Sequence, residues 1–523
     1  MRIDGLFSAT RKVEIPTVPL WSVFGALHNA GPLQFAVSVL GRGGEAGART
    51  FWEVALEQEW GQRHPVLVGR AAVELGKVVP LQIHTDGAEF YKKSEFLVFS
   101  ISSVLAQSSN VWDNKFVVFK IPIVWIKTKT MMQEVMRCAA AFFAWNFQVM
   151  ASGVLPETGF YGEVLKHPSR PRGNRIMGEF VAAFAFFKAD GKARVQVHNF
   201  NSHNYASIFC CDECFATQPF PSVLSTPLLK ALLYTNGSDT APWRNTFIDH
   251  NLYMRCSRYL TPWYIIPGFR KELIVWDWLH NGPLGNLRDF GGAVCVSMLN
   301  RGELLRKYGT VVADDSPDSL LGALWCDFRD WSFRRTGERP RGRLTLKQLQ
   351  DSAVQYPELP TFLKGAVVQS LAIFLATLCQ EFVGDLLGQE RAMCAWGLIE
   401  MLHVMNSAGL VMTVDQTARL VHGGRTYIGF YFALAHKSAE AREFLWKLRP
   451  KMHYIEHLVS FAEKSRLNPQ LLGCWSDESF LGKLKIVALH CSGVSMLRTS
   501  LLRYFLYLGL RWKQRREWGV WDL

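Results

Sequence analysis

The chain has 523 residues, 49% hydrophobic and 20% charged, a composition that supports a large core and excludes disorder over most of its length. Lys and Arg total 58 against 45 Asp and Glu, a formal excess of +13. That excess suits a polyanion such as nucleic acid and equally a basic soluble protein with no such partner. The length exceeds one typical domain, so one interrupted domain or two to three units are expected.

The N-terminus, Met1 to Phe7, shows no cationic segment followed by a long apolar stretch, so no secretory signal is visible. The most apolar later run, Ala366 to Leu378, carries Gln369, Ser370 and Thr377 and is too short to span a bilayer. Eleven cysteines, an odd count, point to a reducing compartment and away from a disulfide framework. A nuclear or cytoplasmic protein, not secreted and without a membrane partner, is expected.

Residues 1–77 read as an irregular lead-in or small module with a Gly-rich stretch at Gly41-Arg42-Gly43-Gly44. From Val78 the pattern becomes strand-like: Leu81, Ile83 and Thr85 alternate with Gln82, His84 and Asp86. Phe96 to Ile101 and Lys115 to Ile121 follow as consecutive antiparallel strands. A helix is predicted over Met131 to Met150, broken by Gly153 before Pro156. The run Phe180 to Ala189 gives a fourth strand, ending at Asp190-Gly191. Residues 78–285 are thus the first part of a core, and 286–450 read as a helical insertion with helices at Ala366–Leu387, Arg391–Asn406 and Ala439–Leu448. Residues 451–523 supply the C-terminal helices that complete the core.

Three strands, a helix and a strand, with acids ending the first and fourth strands, fit an RNase H-like mixed sheet: an α/β fold with flanking helices, interrupted by a large all-helical insertion. In that layout the first and fourth strands are neighbours, so Asp86 and Asp190 project side by side. A third acid arrives from a late helix, where Ser476 is a plausible N-cap with Asp477 and Glu478 in its first turn. Two divalent ions about 4 Å apart need several anionic oxygens, and hard oxygen ligands favour Mg²⁺ or Mn²⁺. Taken singly, each Asp-Gly is a common turn signal and Glu478 a helix N-terminal acid.

Cys211 and Cys214 form a CxxC, which needs two further ligands to close a zinc site. The best partner is His280, in Asp277-x-x-His280, with Asp277 as a ligand or an orienting group. A redox CxxC and buried structural thiols are the rival readings. His453 and His457 share one helix face, an arrangement more often a surface or core feature than a metal site.

Taken in order, these pieces resemble the DDE/D transposases of the CACTA (En/Spm) and Plavaka type. The residues that carry the resemblance are Thr85-Asp86-Gly87, Asp190, Cys211-x-x-Cys214, Asp277-x-x-His280 with Leu284-Gly285-x-x-Arg288-Asp289, Arg449-Pro450-Lys451-x-His453-x-x-x-His457, and Trp475-x-x-Glu478. They span about residues 78–490. The resemblance implies Mg²⁺-dependent cleavage and strand transfer at element ends, with Asp86, Asp190 and Glu478 as the catalytic triad and the CxxC and DxxH as insertion-associated motifs. It implies DNA, both transposon ends and target, as partner; the oligomeric state stays open, a homo-oligomer included. Three departures leave room for a decayed or domesticated copy: Asp190 is not preceded by Gly, Glu478 is followed by Ser479 rather than Arg, and residues 1–77 show no separate DNA-binding domain.

Two basic segments could track phosphates: Lys166 to Arg175, with Arg170, Arg172 and Arg175, and Arg334 to Arg343, with Arg334, Arg335, Arg339, Arg341 and Arg343. Trp331 and Phe333 could stack on unpaired bases, and Trp512 to Arg516 could serve as a nuclear-import patch. A solvated basic loop explains each equally well. Three functions are therefore expected in competition: a transposase-like nuclease, a non-catalytic DNA-binding descendant, and a helical interaction scaffold.

Overall fold

The computed structural model describes residues 1–4, 12–91, 94–106, 110–165, 175–198, 207–238, 240–255, 261–350, 352, 354–489, 491 and 496–518. The strands of the main sheet are β1 (Val78–Tyr91), β2 (Ser94–Ser103), β3 (Phe116–Pro122), β4 (Val181–Ala189) and β5 (Ile274–Val275). The helices that matter below, in chain order, are α1 (Lys129–Ser152), α2 (Gly191–His198), α3 (Pro317–Thr336), α4 (Gly365–Cys379), α5 (Leu386–Ser407), α6 (Val414–Glu440), α7 (Pro450–Ser465), α8 (Trp475–Ala488) and α9 (Met496–Trp518). No described helix is long and apolar enough to cross a membrane.

Two compact units divide the chain. The first comprises 1–203, 248–277 and 472–523, so the lead-in residues, the four predicted strands and the two last helices lie in one body. Its sheet has the order β3-β2-β1-β4-β5. β1 to β3 pair antiparallel, while β4 runs parallel to β1 and β5 parallel to β4. This is a mixed α/β sheet, and the strands lie where the alternation predicts them, except that β1 runs on to Tyr91: Asp86 pairs with Val98 inside the strand and does not end it, because β2 continues the ladder past the Asp-Gly step. β4 is buried at every position, as a parallel strand covered on both faces must be. The predicted helix is α1: Thr128 caps it by accepting from the Met131 N–H, and Gly153, at φ 68°, ends it in the left-handed conformation.

The two faces of the sheet differ in chemistry. Leu81, Ile83 and Thr85 share a face with Phe184 and Phe187, and α1 covers it through Phe147 on Phe184 and Phe143 on Phe99. The register of β1 on β4 shifts between Leu81 and Gln82, so the other face aligns Gln82 with Phe186 and His84 with Lys188. Helix α8 packs on β1 from this polar side, and α9 packs on β3 and on α8.

Among its described residues the second unit, 204–247 and 278–471, has helices, loops and isolated bridges, and it holds both the CxxC segment and α7. Its longest helix, α6, is not among the predicted ones, and the helix expected at Ala439–Leu448 is absent, since α6 ends at Glu440. The expected helix Ala366–Leu387 ends at Cys379, and α5 begins at Leu386. The reason lies in glycine. Gly423 and Gly424 have low helix propensity, yet they sit at close contacts of α6: a Cβ at Gly423 would stand 2.9 Å from both the Gly397 carbonyl oxygen and the Met401 nitrogen of α5, and one at Gly424 2.6 Å from a Val459 methyl of α7.

Candidate metal centres

Asp86 and Asp190 stand one residue beyond the paired Thr85 and Ala189, on adjacent parallel strands. By alternation both lie on the face of His84 and Lys188, which α8 covers. Glu478 sits in the first turn of α8, its N–H donating to the Cys474 carbonyl oxygen at 2.9 Å. All three are half-buried. Each aspartate also accepts locally: Asp86 Oδ1 from the Gly87 N–H and Asp190 Oδ1 from the Ala193 N–H, both at 2.6 Å. The salt bridge from Lys192 Nζ to Glu95 Oε1, 2.9 Å long, lies beside the two aspartates. Glu95 fills the space over Gly87 that any side chain there would need.

Asp86, Asp190 and Glu478 do not form a group whose oxygens all fall within 4.8 Å of one another; among the described residues two other groups do. A two-metal centre does not require that spacing. With ions about 4 Å apart, a bridging acid touches both, while the outer acids touch one each and stand farther from one another.

One of the two close groups is Cys211, Cys214, His453 and His457, all buried. Helix α7 carries the histidines at i and i+4, so both imidazoles leave one face. Cys211 Sγ lies 3.1 Å from His457 Nε2, and Cys214 Sγ lies 3.2 Å from His453 Nε2 and 3.6 Å from His457 Nε2. The two Nε2 atoms are 3.0 Å apart. Trp243 meets the His453 ring edge-on at 4.5 Å and Phe247 the His457 ring at 5.5 Å, which keeps the donors dry. Burial pushes both thiols up, but the hydrogen bond from Cys211 and the two imidazoles pull Cys214 below its ordinary value and leave Cys211 above it. Burial also lowers His453, keeping it neutral. A thiolate and neutral imidazoles are the states that bind a cation, so this buried cluster could hold a metal ion.

The partner expected from the sequence was different. His280 is not in this group; its carbonyl oxygen accepts from Lys451 Nζ at 2.9 Å. Asp277 precedes the short helix Trp278–Asn281 instead of sharing its face, and its Oδ1 accepts the Cys474 N–H at 2.7 Å, fastening the start of α8. The histidines set aside as a helix feature are the ones that meet the cysteines, because only folding brings residues over 200 positions apart together.

The second close group is His84, Cys474 and Asp477. Asp477 is fully buried, with Lys115 Nζ 2.6 Å from Oδ1, Lys188 Nζ 2.8 Å from Oδ2 and His84 Nδ1 3.7 Å away. Burial alone would raise the Asp477 carboxyl; His84 and the two ammonium groups hold it well below the usual range. Burial carries His84 down to about 4, so it is neutral, and carries Lys115 down to about 8. Two ammonium groups already saturate Asp477, and a further cation there would meet them at close range, so this group does not suit a metal. His84, Lys115, Lys188 and Cys474 carry no site signal in the sequence, although Gln82, His84 and Asp86 share one strand face and Lys188 stands two residues before Asp190.

Of the basic segments, Arg170 and Arg172 lie outside the described residues. Arg175 is exposed, forms a bridge with Val154 and donates to the Ser152 carbonyl oxygen. Arg334 and Arg335 end α3, exposed, with the Arg335 guanidinium 4.8 Å from the Trp331 ring. Arg339 stands over Phe333 and pairs with Asp330 at 3.0 Å, while Arg341 and Arg343 are exposed. In the C-terminal patch Arg515 is buried on Asp113 at 2.7 Å, leaving Lys513 and Arg516 exposed. No family model matches the chain, and no curated protein matches it significantly.

Proposed function

We propose that the chain is a transposase-like DNA-processing protein on an RNase H-like core, in which Asp86, Asp190 and Glu478 hold two Mg²⁺ or Mn²⁺ ions. The observation that carries the reading is the register: two aspartates one step past Thr85 and Ala189 on adjacent parallel strands, with a glutamate on the helix covering the same face. A sheet of order β3-β2-β1-β4-β5, with β2 antiparallel to the other four strands, supports the RNase H-like assignment. When bound, such ions activate a water or a 3′-hydroxyl and stabilise the leaving oxygen of a phosphodiester. The protein's part is to fix the carboxylate oxygens, and the exposed arginines of Arg334 to Arg343 are available to phosphates. A protein acting on element ends and target DNA in this way works where that DNA is, in the nucleus or the cytoplasm.

Zinc fits the cysteine–histidine group. A tetrahedron with Zn–S of about 2.3 Å and Zn–N of about 2.0 Å has S···N edges of about 3.5 Å and N···N edges of about 3.3 Å. The separations in this cluster run from 3.0 to 3.6 Å. With four protein donors such a site is structural, tying the CxxC turn to α7.

Asp86→Asn should abolish Mg²⁺-dependent nicking of DNA and leave DNA binding intact; nicking at the unaltered rate rejects the assignment. A second reading, a DNA-binding descendant without catalysis, is favoured by one observation: each aspartate already serves a local backbone N–H. It predicts salt-sensitive DNA binding and no cleavage with Mg²⁺ or Mn²⁺. The helical-scaffold reading predicts no DNA affinity even at low salt.

A further inference from the structure

The Asp477 cluster lies one rung inward from the three carboxylates on every element that carries them. His84 precedes Asp86 by two residues on β1, Lys188 precedes Asp190 by two on β4, and Asp477 precedes Glu478 by one on α8. His84 pairs with Lys188 in the same register that sets Asp86 beside Asp190. The two rungs therefore move together: any slip of α8 along the sheet that displaced Glu478 would first break the contacts of Asp477.

Those contacts hold the N-terminal turn of α8 from several sides. Lys188 Nζ donates to Asp477 Oδ2 at 2.8 Å and to the Gly473 carbonyl oxygen at 2.9 Å, fixing the turn to β4. Lys115, just before β3, donates to Asp477 Oδ1 at 2.6 Å and reaches Ser102 Oγ at 3.4 Å. Asp277, just after β5, accepts from the Cys474 N–H at 2.7 Å. A buried cluster with two ammonium groups on one carboxylate is a poor way to gain stability, since apolar residues of equal volume often do as well or better. What it supplies is a single allowed position, because a displaced α8 would leave charges buried without partners.

We infer that Lys188, Lys115 and Asp477 are positioning residues that set Glu478 against Asp86 and Asp190 and so determine the affinity of the three carboxylates for divalent ions. The inference rests on the proposed two-metal reading. Groups that orient metal ligands commonly change metal affinity or activity about 10–100-fold when lost.

Lys188→Met and Lys115→Met are the informative variants, since each leaves Asp477 one ammonium and a balanced pair. The full-length chain is titrated with Mn²⁺ by electron paramagnetic resonance and assayed for plasmid nicking, with Asp86→Asn as reference and thermal melting as the check on folding. Expected for a folded Lys188→Met is Mn²⁺ binding weakened by about tenfold or more, with nicking kcat lowered and the KM for DNA unchanged. Should Lys188→Met fail to melt cooperatively, Lys115→Met decides; loss of folding in both variants counts against the inference, the cluster then being a stability element. If Asp86→Asn removes Mn²⁺ binding and nicking while both folded lysine variants keep Mn²⁺ affinity within twofold, the positioning role is overturned and the two-metal reading stands. If Asp86→Asn itself leaves both unchanged, the two-metal reading falls and the inference with it.

Discussion

Lys120 on β3 offers a perturbation whose size follows from its surroundings. Its side chain is buried, Nζ donates to Ser500 Oγ on α9, and it stands 5.3 Å from the Phe90 ring centroid. Its electrostatic neighbour is the Cys491 thiol rather than a carboxylate, and burial carries the ammonium from the ordinary 10.5 down to about 8. At 1.36 kcal/mol per pKa unit, keeping this group protonated in the folded state costs about 3 kcal/mol at neutral pH. Lys120→Met removes that cost, keeps most of the volume and gives up one hydrogen bond of about 1 kcal/mol. The net expectation is a stabilisation of about 2 kcal/mol, read as a raised urea midpoint with an unchanged slope. The pH dependence has a definite sign. Below pH 8 both states are protonated and the cost is constant; between 8 and 10.5 the unfolded chain binds a proton that the folded one has released. Stability therefore rises with pH across that window and is lost again as pH falls through about 8. Lys120→Met should remove this part of the rise, so the variant's advantage shrinks toward pH 10.5. A variant that is destabilised at pH 7, or whose advantage does not change with pH, would show that the ammonium is hydrated or paired and that the reasoning is wrong.

Close helix packing gives a sharper contrast in the second unit. A Cβ at Gly397 would stand 2.5 Å from the Tyr427 nitrogen and 2.7 Å from the Gly423 carbonyl oxygen, both backbone, whereas nothing lies within 4 Å at Gly429. Gly397→Ala should destabilise by about 1–3 kcal/mol, while Gly429→Ala, in the same helix pair, should be neutral or stabilising by up to about 1 kcal/mol; equal effects in urea unfolding would count against the close approach of α5 and α6. At the cysteine–histidine cluster, Cys214→Ser and His453→Ala should each lose stoichiometric zinc by elemental analysis, with affinity down at least tenfold, while His280→Ala keeps it. Zinc retained by His453→Ala, or lost from His280→Ala, would restore the ligand set expected from sequence, and zinc retained by Cys214→Ser would rule out both sets.

The sheet was legible because its signal is local. Alternation over Leu81 to Asp86, the apolar run into Asp190 and the cap and breaker around α1 each depend on neighbours within a few residues. Asp190 at the end of β4 follows from the same signal, whereas Asp86 lies within β1, and Glu478 falls in the first turn of α8 although Cys474 rather than Ser476 stands at its cap. The long helix α6 was not legible, because Gly423 and Gly424 carry the local marks of a break while their actual role, close approach to Gly397 and Met401 and to Val459, depends on other helices. The histidines that meet the CxxC were not legible for a related reason. Asp277-x-x-His280 and His453-x-x-x-His457 both have helical spacing, and nothing in either spacing says which one faces Cys211 and Cys214.

By itself, then, the sequence determined the elements and the chemical types at their ends, since backbone preference and period-two patterning act over short range. Only the tertiary structure decided which of those groups meet. The pairing of Thr85 with Ala189, the enclosure of Asp477 by Lys115 and Lys188, and the encounter of Cys211 and Cys214 with His453 and His457 join residues roughly 100 to 360 positions apart. Contacts across such separations are set by packing and by the cost of burying charge without a partner, and neither is written in any one stretch of the chain.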